Sequence, residues 1–130
     1  MKANELMIGD WVECTYWTPS KQLKVAEIRR IMDDEIKIGV YSDDLILIFR
    51  QSEVKPIPIT PEILEKNGFI NYTDFYMWKE ESLEPIHLDN YDEDGWRLRI
   101  NCDNIPCECK YVHQLQHALR LCGIEKEIVV

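Results

Sequence analysis

Four side chains near the end of the chain have the types and spacing of metal ligands: Cys107-x-Cys109-x3-His113-x3-His117. Zinc takes tetrahedral sulfur and nitrogen ligands, and two histidines four residues apart share one helix face. Three features weigh against a site. Arg120 follows His117 by three residues on the same face and would set a cation beside the metal. Cys-x-Cys is a less common zinc spacing than Cys-x2-Cys. A helical wheel also places both histidines away from the apolar stripe, where a metal would lack supporting outer groups. No metal or cofactor is therefore assigned, and zinc binding through these four residues stands as an alternative function. His113-Gln-Leu-Gln-His117 shares the outline of the metalloprotease H-E-x-x-H, but Gln114 holds the general base's position and cannot accept a proton at neutral pH.

The remaining chemistry-bearing residues point away from an enzyme. The chain has no nucleophile elbow, phosphate-cradling glycine loop or dinucleotide fingerprint. Cys102, Cys107 and Cys109 sit among Asp103 and Glu108, carboxylates that hold a thiol in its protonated form. Asn90 to Gly95 resembles the start of a calcium loop, but Asn101 stands where a bidentate glutamate is required, and strands flank it. For binding, Trp11, Tyr16 and Trp17 could form an aromatic face like that of peptide-binding barrels, against a default role in a small core. Lys21, Lys24, Arg29 and Arg30 supply the basic edge that nucleic-acid binding by the first half would need.

Charge opposes that last use. The 130 residues carry a net charge of −9. Residues 1–56 hold 8 basic and 10 acidic residues (−2), and residues 57–130 hold 7 and 14 (−7). Such a surface repels a phosphate backbone at long range, so the expected partner is another protein rather than nucleic acid. The opening MKANELMIGDWVE has no apolar export region, and the longest aliphatic run, Leu45 to Phe49, is too short to span a bilayer. Five cysteines without an export signal read as free thiols, which places the protein in the cytoplasm with no membrane partner.

The elements that must position these residues form an α+β, mostly β, chain. Residues 6–17 read as an apolar lead-in, a Gly-Asp turn and an alternating strand. Strands follow at 22–32, with a phase change after Ala26 that marks a bulge, then at 36–40 and 45–49, with Val54 adding a short fifth. This is the pattern of a small SH3-like barrel over residues 1–56. Pro56-Ile-Pro-Ile-Thr-Pro is a stiff connector into a second domain, 57–130. There Thr60, Pro61 and Gly68 delimit a short helix over 61–67. Three strands follow, at 69–79 (broken at 71–74), 83–88 and 96–100. A helix over 110–122 comes next, then a final strand at 127–130. The second half thus reads β-β-β-α-β, with the helix on an antiparallel sheet. On the wheel Tyr111, Val112, Leu115, Ala118, Leu119 and Cys122 fall within roughly 120°, the width of a buried stripe, and His113, His117 and Arg120 face water.

Three segments resemble an uncharacterised family: Glu5-Leu-Met-Ile-Gly-Asp-Trp-Val, Ile59-Thr-Pro-Glu-Ile-Leu-Glu-Lys-Asn-Gly-Phe and Lys110 to Gly123. These are similar to small cytoplasmic proteins of gut anaerobic bacteria, often encoded by prophages or mobile elements. The resemblance implies an accessory protein and supplies no site residues.

Overall fold

The computed structural model describes residues 3–16, 18–30, 36–80, 85–92, 95–100 and 107–130. Residues 31–32 and 83–84 of the expected strands, residues 93–94, Trp17 and Cys102 lie outside these residues, as do the side chains of Tyr16, Arg29, Arg30 and Cys107. The chain divides into two compact units, Met1–Ile57 and Pro58–Val130.

The first unit is one antiparallel sheet of β1 (Trp11–Tyr16), β2 (Thr18–Arg30), β3 (Ile36–Ser42), β4 (Leu45–Arg50) and β5 (Val54–Pro56), in the order β4-β3-β2-β1-β5. Among the described residues β4 and β5 each have one neighbour, so the strand pairing does not close the sheet into a barrel. The entrance turn is built by the Gly-Asp pair. Gly9 takes a left-handed φ of 92°, which a residue with a Cβ adopts only with strain. Its amide donates to Val25 O at 2.8 Å, and Val25 N donates to Asp10 O at 2.8 Å. The fully buried Asp10 carboxylate accepts from Met7 N at 2.7 Å, satisfying a charge that would otherwise be costly to bury. The phase change at Ala26 is a bulge: the β2–β3 register shifts between Val25 and Glu27. Alternation then sends Val12, Cys14, Val25, Ile38, Val40 and Val54 into one core with Leu6. β3 and β4 are joined by Asp43 and Asp44, with φ of 45° and 65°, the paired left-handed geometry of a two-residue hairpin.

The second unit holds α1 (Pro61–Lys66), β6 (Ile70–Asn71), β7 (Tyr76–Trp78), β8 (Ile86–Asp92), β9 (Gly95–Ile100), β10 (Cys107–Cys109) and α2 (Val112–Leu121). Its five strands form a plain antiparallel meander, β10-β9-β8-β7-β6. Thr60 Oγ1 accepts from Ile63 N at 3.3 Å, with Pro61 in the first turn. Both helices stop in the same way. Gly68 and Gly123 are left-handed, Phe69 N donates to Leu64 O, and Ile124 N donates to Leu119 O. These are Schellman closures, each tucking the following apolar residue inward. The buried residues come from both layers: Ile86, Leu88, Trp96, Leu98 and Cys109 from the sheet, and Val112, Leu115 and Leu119 from α2. The Trp96 indole donates to Ile59 O at 3.1 Å, which satisfies a buried donor and ties the connector to the sheet.

Two expectations for this unit are corrected. The strand before α2, β10, was not foreseen, and the expected strand at 127–130 does not form. A side chain takes its place. The Asn67 amide meets the Val129 backbone twice, Nδ2 donating to Val129 O at 2.7 Å and Oδ1 accepting from Val129 N at 2.8 Å. Nδ2 also donates to Ile63 O at 2.7 Å. This two-point contact reproduces one rung of a β-ladder beside the buried Ile128.

Asn67→Ala should cost about 1–3 kcal/mol, because Val129 N and Val129 O lose the amide together, while Ile63 O keeps the Asn67 backbone N–H. Asn67→Asp, whose carboxylate would set an acceptor against the Ile63 and Val129 carbonyl oxygens, should cost at least as much. Chemical denaturation checks the first effect, and hydrogen exchange at the Val129 amide should show the tail released before the rest of the unit.

Candidate functional site

Of the four candidate metal ligands, the side chains of Cys109, His113 and His117 are described. Among the described residues no group of three or more His, Cys, Asp or Glu side chains could hold an ion. Cys109 is fully buried in β10. His113, expected on the wet face, is only 4% exposed. Its ring stacks on Tyr111 with centroids 5.9 Å apart, and the His117 ring stands edge-on at 5.7 Å. The buried arc of α2 is wider than the wheel stripe, taking in His113 and Gln116 beside Val112, Leu115, Ala118 and Leu119. Cys122, expected to be buried, is exposed, because it is the C-cap residue where the chain leaves the helix. Gln114 has a structural task. Its Oε1 accepts from Lys110 N at 2.7 Å and Tyr111 N at 3.1 Å, satisfying backbone donors at the helix start.

Burial, reinforced by Glu53 and Glu13, pushes the Cys14 thiol up to about 12, so it stays protonated at neutral pH and is a poor nucleophile.

The first unit does bring chemistry-bearing residues together. Register sets Trp11 opposite Lys24, Lys24 opposite Tyr41, and Tyr41 opposite Ile46. These four residues form one cross-strand row over β1, β2, β3 and β4. They lie on the face opposite the core, since their strand neighbours Val12, Val25 and Val40 point inward. Lys24 Nζ sits 5.1 Å from the Trp11 ring centroid, a cation–π contact. Trp11 is half-buried and Tyr41 exposed, so neither is a core residue. A cleft of about 360 Å³ opens along this row, lined by both aromatics together with Lys21, Gln22, Leu23, Lys24, Ser42 and Asp43. Of the residues picked from sequence, Trp11, Lys21 and Lys24 meet here. Tyr41, Ser42 and Asp43 were missed, because only strand pairing reveals that β3 lies beside β2.

No protein family, curated protein or solved structure matches the chain. No helix among the described residues is long and apolar enough to cross a membrane.

His113→Ala should destabilise the protein by about 1–3 kcal/mol, the usual range for emptying a buried, packed position, while His117→Ala should have a much smaller effect. Alkylation at pH 8 followed by peptide mapping should modify Cys122 readily, and Cys14 and Cys109 only after unfolding. Below pH 9 both folded and unfolded chains keep the Cys14 proton. Above it the unfolded chain loses the proton first, so the thiol's contribution to stability should be lost progressively between pH 9 and about 12.

Proposed function

We propose that the protein is a non-enzymatic binding module that engages another protein through the Trp11–Lys24–Tyr41 row. The observation that carries this reading is the row itself: two aromatics bracketing a lysine on three adjacent strands, beside a cleft of about 360 Å³. Aromatic walls accept proline or aromatic rings of an extended peptide, and Lys21 and Lys24 attract an acidic group beside them. A strand order in which the first strand lies between the second and the last supports reading the unit as an SH3-like domain, in which such faces take peptides. An accessory role in a prophage or mobile element, implied by the sequence resemblance, suits a module of this kind. Nucleic acid is disfavoured by Asp43 at the cleft and by the net charge of −9.

Selection from a displayed peptide library should enrich extended sequences carrying a proline or aromatic residue next to an acidic one. Trp11→Ala and Tyr41→Ala should each weaken the selected peptide by about tenfold or more, the effect of losing an aromatic anchor, with unchanged circular dichroism. Absence of enrichment, together with a low-salt gel shift of single-stranded DNA or RNA, would replace this reading with nucleic-acid binding.

A further inference from the structure

We infer that the exposed edge of β4 is a self-association surface that pairs antiparallel with β4 of a second copy about a two-fold axis at Leu47. The strand Leu45-Ile-Leu-Ile-Phe-Arg50 is apolar on both faces. Leu45, Ile46, Leu47 and Ile48 are 65%, 48%, 39% and 41% exposed, and among the described residues β3 is its only neighbour. Long apolar edges of this kind are templates for strand addition, and folded proteins normally blunt them with charge, proline or a cover. Here the charges stand at the two ends, Asp43 and Asp44 at one and Arg50 at the other.

The hairpin settles which backbone groups are available. In a two-residue hairpin the flanking pair Ser42–Leu45 is hydrogen-bonded, and alternation makes Val40–Leu47 and Ile38–Phe49 hydrogen-bonded too. The N–H and C=O groups of Ile46 and Ile48 therefore point outward. Outward groups of two copies meet in three two-fold registers, centred on Ile46, Leu47 or Ile48. The first sets Asp44 against Ile48, and the third sets Arg50 against Ile46. Only the register centred on Leu47 pairs Ile46 with Ile48 and brings the turn residue Asp44 to the Arg50 end of the second copy, twice by symmetry.

That register also places a carboxylate near a pair of like charges. Lys37 stands directly opposite Arg50, and like charges so placed repel. The exposed Arg50 has Glu53 at 3.9 Å, and the register brings Asp44 of the second copy towards it. The two Leu47 side chains would meet at the axis in a non-hydrogen-bonded pair, the closest cross-strand spacing. The contact is small, on the order of 1,000 Å² in total, at the low end of specific interfaces. A weak dimer is expected rather than a permanent one.

Sedimentation velocity on the untagged full chain, from about 2 to about 300 µM, should show a monomer–dimer equilibrium in the micromolar range. Leu47→Lys, which sets two cations together at the axis, and Arg50→Glu, which opposes Asp44, should each weaken it by about tenfold or more. The double variant Asp44→Lys/Arg50→Glu, with unlike charges restored, should recover most of the loss. In the unaltered protein, exchange of the Ile46 and Ile48 amides should speed up on dilution. A monomer at every concentration, with exchange independent of dilution, would overturn the inference. A dimer indifferent to Leu47→Lys and Arg50→Glu would do the same. Weakening by Arg50→Glu without recovery in the double variant would overturn the Leu47-centred register.

Discussion

The first unit depends on the register of one strand. β2 runs from Thr18 to Arg30 and pairs with β1 on one side and β3 on the other. Because side chains alternate with a period of two, a slip of one residue would exchange the core set with the solvent set. Three devices hold the register. The Gly9 and Asp10 backbone bonds to Val25 lock one point, the bulge at Ala26 absorbs one extra residue, and the hydrophobic alternation of β3 selects its facing partners. From that single constraint follow both the buried set around Val25 and Val40 and the exposed row from Trp11 to Ile46.

The second unit is fastened differently, by polar side chains that finish what the backbone leaves open. Gln114 completes a helix start, Thr60 another, Trp96 holds the connector, and Asn67 stands in for a strand. The Trp96 bond is the buried one, where an unpaired donor would carry its full desolvation penalty. The Schellman turns at Gly68 and Gly123 perform the same service at the helix ends. A strain point remains in the β6–β7 loop. Thr73 has φ of 76°, held by its amide donating to Asn71 Oδ1 at 2.8 Å and by Asp74 N donating to Tyr72 O at 2.9 Å. A β-branched residue adopts that conformation only under such restraint.

What could be read from sequence was local chemistry with a mechanism. Thr60, Pro61 and Gly68 mark a helix because capping rules are short-range, and the Ala26 bulge shows as a fault in period; the break expected at 71–74 falls at residues 72–75. What could not be read was set by neighbours distant in sequence. A wheel ranks residues by their own polarity, so it put His113 outside. The ring is buried because Tyr111 and His117 stack around it and the helix is enclosed over a broader arc. The tail at 127–130 has strand composition but pairs with no strand among the described residues, and the Asn67 amide meets the Val129 backbone instead. The cleft was half visible: Trp11 and Lys24 stood out by type, whereas Tyr41 required knowledge of which strand lies beside which.

The alternation along β2 and β3 has a consequence for how such a protein can change over generations. Substitutions at odd and even positions fall under separate selection, one set judged by packing and the other by what it touches. Tyr41 can be exchanged without disturbing Val40, and Lys24 without disturbing Val25. Gly39 is the exception, because a Cβ there would come within 2.7 Å of the Glu27 side chain and 3.1 Å of Ile46. At that one residue the two pressures are joined, and drift on the outer face would be slowest around it.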